Sequence, residues 1–211
     1  MDGFSISMAL VDYIPVFFFT AAAVILMRDL YDKMSKGALA LFSAGVIDIT
    51  LAGALKATWK LLYAVGICDF QALNNVFFPV QSIGFLLAGI GVLAMLVHRQ
   101  TKTALRAAAL PVFKGTFLFV GLMVLGLGIL DTVLCILSVK IKKPALIAVF
   151  ALSFLCSLGM GYLSGRDFEE AAMHWIAEGV NVAGQGSFFA GAVLLHKNKL
   201  ADLRLHGGEK A

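Results

Sequence analysis

Charged residues are scarce in this sequence, at 14% of 211 positions, whereas 60% of the positions are hydrophobic. Soluble domains carry about a quarter charged residues, so this composition excludes an ordinary soluble fold. Cysteines are also few, and the three present form no C-x-x-C pair, which argues against a disulfide or redox framework. The chain has no phosphate-binding loop and no G-x-S-x-G sequence, so nothing in it points to a nucleotide-hydrolysing or serine-hydrolase site.

The apolar residues are arranged in six runs of about twenty residues, the length that crosses roughly 30 Å of hydrocarbon. The runs cover 8–27, 38–62, 73–97, 115–138, 145–164 and 171–195. We therefore predict an all-α, polytopic transmembrane bundle of six helices, forming a single domain over 1–211 in the cell membrane. The residues before the first run carry no positive charge, so this run is expected to be a permanent span rather than a signal peptide. The net charge of +4 lies in loops and tail, which is typical of headgroup contacts and does not indicate nucleic-acid binding.

The two halves of the chain resemble each other in short stretches. The matching stretches are 30–39 with 137–146, and the Asp-Phe pairs at 69–70 and 167–168. They predict a duplication with halves at 8–106 and 115–204, and a tail over 198–211. Three strictly alternating spans in each half would place the halves in opposite orientations, as an inverted 3+3 repeat. The basic residues then divide eight against seven between the two sides of the membrane, so the strong positive-inside bias of a protein with one fixed orientation is absent. A miscounted span, with a re-entrant segment near 103–114, is the alternative.

A polar stripe follows the sixth run. Glu170, His174, Glu178, Asn181 and Gln185 lie within roughly 80° of arc on a helix that is otherwise apolar. Polar groups at membrane depth usually face a bundle interior or a water-filled cavity, so we predict that the stripe lines a solute or ion path. The alternative is that the stripe begins among the headgroups and that its amides only bond neighbouring helices.

Other runs carry further polar candidates. Asn74 and Gln81 are seven residues apart in the third run, with Pro79 between them, so a kink that opens the backbone at the path is predicted; a kink used only for packing is the alternative. Asp48 and Asp131 are acids within the second and fourth runs, and both are predicted to belong to the path, although Asp131 lies nearer to a helix end and is also compatible with an interfacial position.

Two lysines, Lys56 and Lys60, lie one helical turn apart beside Trp59 and Tyr63 near the end of the second run. We interpret them as amines that reach the headgroups within an aromatic belt. An anion or counter-ion site is the alternative function for them.

A metal site is not expected. Glu170, His174 and Glu178 have the i, i+4 spacing that places ligands on one helix face, but a single helix supplies at most three ligands and no second His/Glu cluster occurs.

The sequence therefore predicts a small transporter or channel that moves a small solute or ion along a polar path between the two halves, with Glu178 as the ion- or proton-binding group. No cofactor is expected, and the partners are the lipid bilayer and the solute. One alternative is a membrane-embedded enzyme acting on lipid or prenyl substrates, with His174 and Glu178 as acid and base. Another is a non-catalytic subunit of a larger transporter. Paired glycines, which let helices approach closely, leave open a homodimer or a partner subunit.

Overall fold

The computed structural model describes residues 5–97, 116–163 and 171–205. Helices account for 88% of these residues, and no strand occurs among them. The α-helices, in chain order, are α1 (Ile6–Val11), α2 (Tyr13–Leu30), α3 (Lys36–Ala64), α4 (Gln71–Asn75), α5 (Phe77–Val97), α6 (Thr116–Lys140), α7 (Leu146–Leu163) and α8 (Ala171–Lys197).

Five helical stretches among the described residues are long and apolar enough to cross a membrane. They are Ile6–Lys33, Lys36–Ala64, Gln71–Val97, Leu118–Lys140 and Leu146–Leu163. By length and composition the chain is therefore a multi-pass helical membrane protein, as predicted. The remaining long helix, α8, has 27 residues but is too polar to be counted with the five, so the predicted total of six spans is not confirmed.

Helix ends follow local sequence chemistry. The Ser35 hydroxyl accepts a hydrogen bond from the Ala38 amide (3.2 Å) and caps the start of α3. At the other end of α3, Gly66 adopts φ +76°, and the Ile67 amide bonds back to the Leu62 carbonyl (3.0 Å). This left-handed glycine cap stops α3 and turns the chain towards α4 and α5.

Each of the first three long helices runs antiparallel to the one before it. At the start of α2 the Tyr13 hydroxyl bonds the Thr58 hydroxyl near the end of α3 (2.9 Å), whereas Met27, near the end of α2, accepts a hydrogen bond from Ser43 (3.5 Å). The end of the bundle where α2 begins is called the cavity end below, and the opposite end is called the core end.

Glycines bring α5 into close antiparallel contact with α3. A Cβ atom added to Gly84 would lie 2.9 Å from the Gly45 carbonyl oxygen, and one added to Gly91 would lie 2.7 Å from the Phe42 amide nitrogen. These distances leave no room for a side chain, so the glycines set the approach of the two helices. The helix α5 therefore begins at the cavity end and ends at the core end.

The contact between α5 and α6 is parallel. A Cβ atom on Gly126 would lie 2.4 Å from the Leu86 nitrogen, and one on Gly89 would lie 3.3 Å from the Ile129 Cβ. Residue numbers thus increase in the same direction along both helices.

The second triplet repeats the pattern of the first. The contacts that fix its directions pair Val120 with Gly161, Gly128 with Phe154, Cys156 with Gly184 and Phe150 with Phe188. They make α7 antiparallel to α6, and α8 antiparallel to α7. Independently, α8 runs parallel to α2, because the Phe19 and Phe188 rings stack at 5.7 Å and His196 contacts Asp29 at 3.0 Å further along both helices.

Both triplets therefore run in the same sense, each beginning at the cavity end. Val97 lies at the core end and Thr116 at the cavity end, so the chain between them joins opposite ends of the bundle. The inverted relation between the halves is not confirmed, and the helix directions count against it, because it assumed that α5 and α6 alternate. The proposed re-entrant segment near 103–114 lies outside the described residues, as do the basic residues counted at 99–114.

Buried apolar side chains fill the core end. The largest include Leu26, Leu30, Phe42, Val92, Met95, Leu134, Leu137 and Leu195. At mid-depth four rings pack edge-on or stacked on one another and are called the phenylalanine layer below: Phe19, Phe85, Phe150 and Phe188. Large apolar side chains also cover the outside of the bundle; Phe17 is 67% exposed and Leu155 is 62% exposed. Such a surface is unsuited to water and suited to lipid.

Candidate functional site

A cavity of about 340 Å³ lies between the two triplets, in the half of the bundle at the cavity end. All six long helices line it. Its polar lining consists of Asp12, Thr50, Lys56, Lys60, Asn74, Gln81, Ser157, His174, Glu178, Asn181 and Gln185. Phe19 and Phe85 of the phenylalanine layer bound it towards the core end. A few convergent polar groups in an otherwise apolar hollow are typical of a small-molecule site.

Six of the eight residues predicted to form a path meet at this cavity. They are Asn74, Gln81, His174, Glu178, Asn181 and Gln185. They come from α4, α5 and α8, so residues from both halves face one hollow.

The two remaining acids lie elsewhere. Asp48 is half-buried on α3, where it packs near Gly84 of α5. Asp131 is 4% exposed on α6, and neither of its carboxylate oxygens has a hydrogen-bond partner among the described residues. Neither acid is part of the cavity wall.

Glu178 is turned inward although its helix has an outer face. Its exposed fraction is 5%, whereas Trp175 and Ile176 on the same helix are 43% and 52% exposed. The acidic position of the polar stripe therefore faces the bundle interior, and the apolar positions face outward. This arrangement follows from the 3.6-residue period of the helix.

A buried ion trio of Asp12, Lys60 and Glu178 forms part of the cavity wall. The Lys60 ammonium lies 2.5 Å from Asp12 Oδ2 and 2.6 Å from Glu178 Oε1. All three residues are at most 9% exposed. Asp12 lies between α1 and α2, so the trio joins the start of α2 and the helix α3 in the first half to α8 in the second half. Charges buried this deeply persist only when they are paired, as they are here.

The interpretation of Lys60 as a snorkelling amine is wrong. A snorkelling lysine keeps its ammonium group in water among the headgroups, whereas Lys60 is 8% exposed and bonded to two carboxylates. Its aromatic neighbours led to the error. Of these, Trp59 is itself 5% exposed and lines the cavity instead of forming an outer belt.

Lys56 lies one turn from Lys60 on the same face of α3 and lines the cavity. Its ammonium nitrogen lies 4.0 Å from the centre of the Phe77 ring and 5.7 Å from that of Phe78. No carboxylate of the described chain comes within 4.0 Å of it. Lys56 is therefore a cation held against aromatic faces.

Four carboxamides complete the wall. The side chains of Asn74, Gln81, Asn181 and Gln185 are half-buried, and none of them makes a hydrogen bond to another described residue. Each retains an amide donor pair and an acceptor for whatever fills the cavity.

No group of three His, Cys, Asp or Glu side chains within the described ranges could hold a metal ion. Glu170, the third member of the candidate metal set, lies outside those ranges. His174 and Glu178 of that set both line the cavity.

The loop after α3 anchors the cavity wall. The Trp59 indole donates a hydrogen bond to Asp69 Oδ1 (2.9 Å), and the Gln71 amide donates to the same carboxylate. These two donors, that of Trp59 first, hold the pKa of Asp69 below its ordinary value because they favour the ionised form.

Sequence reasoning missed Asp12 altogether, and it assigned Lys60 to the membrane surface. The available signal was an acid inside the first apolar run, at a depth where acids are uncommon. The completed site offers charge, amides and apolar walls around a hollow, an arrangement suited to holding a small solute. Comparison of the chain with family models, curated proteins and solved structures returned no significant match.

Proposed function

We propose that this protein is a small carrier of the cell membrane that moves a small solute through the cavity between its two three-helix halves. In this proposal α8 is a sixth described span. Its polar residues face the cavity, which explains why it is less apolar than the other spans. The observation that supports the proposal best is the convergence of buried polar side chains from both halves on one cavity inside an apolar bundle.

The direction of the helices supports a carrier built from two parallel triplets. Repeats related by an axis along the membrane normal occur in known transporter architectures, with the substrate between the halves. The order of packing is also the same in each half, since the first and second long helices touch sparingly while the second and third are in extensive contact.

The contacts between α2 and α8 support a motion of one half against the other. At the cavity end, Asp12 and Glu178 meet at Lys60, and at the core end Asp29 meets His196. Each end of this interface thus carries a polar contact that can break and re-form. Carriers alternate access by rocking one repeat against the other around a fixed site.

A carrier is favoured over an open channel. The phenylalanine layer and the buried apolar cluster close the bundle between the cavity and the core end. A solute that enters the cavity therefore needs a conformational change to leave on the other side. At roughly 30 Å³ per water molecule, 340 Å³ suits a solute of about ten non-hydrogen atoms.

Uptake into proteoliposomes tests the proposal. Wild-type vesicles under a pH gradient are offered a mixed panel of labelled small carboxylates, amines and uncharged solutes. At least one class should accumulate above protein-free vesicles, and Glu178→Gln, checked for insertion by monodisperse elution in detergent, should lower that uptake at least tenfold. The matched control is Asp32→Asn, an exposed acid in the turn after α2, which should keep wild-type uptake. Uptake by Glu178→Gln at the wild-type rate would contradict the role proposed for Glu178. Absence of uptake for every class of solute would contradict the proposal that the protein is a carrier.

A further inference from the structure

The two lysines of the cavity differ in what they contact. Lys60 is held by Asp12 and Glu178, so its charge is already matched by carboxylates of the chain. Lys56, which also lines the cavity, places its ammonium group against the faces of Phe77 and Phe78, and no carboxylate of the described residues lies within 4.0 Å of it. Of the two amines, Lys56 is the one available to an incoming anion.

The arrangement of the ion trio also favours Lys56 over Lys60 as the anion-binding group. The Asp12 and Glu178 oxygens that contact Lys60 lie 2.5 and 2.6 Å from the same nitrogen, so they are within about 5 Å of each other. Lys60 lies between these two oxygens, so an anion that approached it would also meet both carboxylates.

The rest of the wall fits an anion that has an apolar body. Asn74 and Gln81 reach the cavity from the same segment as Phe77 and offer amide donors that no described residue uses. Beyond them Phe85 and Leu127 present apolar surface. A carboxylate accepts hydrogen bonds from ammonium and amide donors, and Lys56, Asn74 and Gln81 supply both kinds of donor.

We propose that the cavity binds a small organic monocarboxylate, with its carboxylate on the Lys56 ammonium group and its apolar body towards the phenylalanine layer. The inference rests on the proposed function in that it names the class of solute the carrier takes. The cavity volume of about 340 Å³ suits a compact acid.

Equilibrium binding to the full chain in detergent tests this inference with three probes of one shape and different charge: benzoate, benzamide and benzylamine. Wild-type protein should bind benzoate saturably, and at least tenfold more tightly than either other probe. Lys56→Gln should weaken benzoate binding at least tenfold and leave benzamide binding unchanged, while Lys56→Arg should restore most of the benzoate affinity. Lys36→Gln, an exposed lysine at the opposite end of the same helix, serves as the matched control and should bind benzoate as the wild type does.

Several outcomes would overturn the inference. If the wild-type protein bound benzylamine more tightly than benzoate, the inference would be wrong. This comparison needs only the wild type, so it holds even if a Lys56 variant fails to fold. Unchanged benzoate binding by a folded Lys56→Gln protein would overturn the inference as well, and a long-chain fatty acid that displaced benzoate would point to a lipid ligand instead. Binding is measured without vesicles, so a failure to bind benzoate would contradict this inference without contradicting transport. Absence of uptake by a protein that binds benzoate would contradict the proposed transport without contradicting the binding site.

Discussion

Replacing Lys60 by Met removes the one cation among the described residues that contacts both buried carboxylates of the ion trio. The described geometry fixes what remains: Asp12 at 9% and Glu178 at 5% exposure, with their Lys60 contacts of 2.5 and 2.6 Å lost. Breaking a buried pair by removing one partner costs about 3–5 kcal/mol. For a chain of this length each kcal/mol lowers the melting temperature by about 2–4 °C, so Lys60→Met should melt about 6–20 °C below the wild type.

Thermal unfolding of the purified protein in one detergent measures this difference. Lys36→Met is the matched control, since it removes an exposed lysine from the same helix and should change stability by no more than about 0.5 kcal/mol. Glu178→Gln should cost less than Lys60→Met, because Lys60 keeps Asp12 and the new amide oxygen can still accept a hydrogen bond. A Lys60→Met protein that melts within a degree or two of the wild type would refute the buried trio.

Three further predictions follow from other parts of the bundle. Gly126→Ala should lower stability by about 1–3 kcal/mol, because its Cβ would lie 2.4 Å from the Leu86 nitrogen. Gly121→Ala on the same helix has nothing within 4 Å of its Cβ and should be neutral or slightly stabilising, and equal melting temperatures of the two variants would contradict the close contact of α5 with α6. Reporter tags before residue 5 and after residue 205 should lie on opposite sides of the membrane, and tags on one side would contradict the helix directions. The Asp69 contact with Trp59 should contribute stability at pH values above the ordinary carboxyl pKa of about 4, and that contribution should be lost as the pH falls through the lowered pKa of Asp69. Trp59 fluorescence should therefore change in that pH range in the wild type and should not change in Asp69→Asn.

The polar stripe of α8 could be read from sequence because helix periodicity alone determines which residues share a face. His174, Glu178, Asn181 and Gln185 recur at three- and four-residue spacings on an apolar helix, and the structure brings all four to one cavity. Apolar run lengths likewise predicted the long helices to within a few residues.

Features that depend on the relation between distant segments could not be predicted. Whether Lys60 reaches headgroups or carboxylates depends on where α2 and α8 lie, and its neighbours Trp59 and Tyr63 fit either setting. The parallel direction of α5 and α6 follows from two contacts, Gly126 with Leu86 and Gly89 with Ile129, and no local pattern in the sequence predicts that pairing. Asp48 similarly resembles a path residue by type, yet its face of α3 is turned to α5 instead of to the cavity.

A carrier of this design requires that water or solute, rather than acyl chains, meets the polar face of α8. Cysteine accessibility measures it most directly, in intact vesicles and in a background where Cys68, Cys135 and Cys156 are replaced by alanine. A membrane-impermeant thiol reagent needs the thiolate, which forms in water and not in hydrocarbon. We expect that Asn181→Cys reacts and that Ile176→Cys, five residues earlier on the outer face of the same helix, does not. Reaction at Ile176→Cys with none at Asn181→Cys would contradict it.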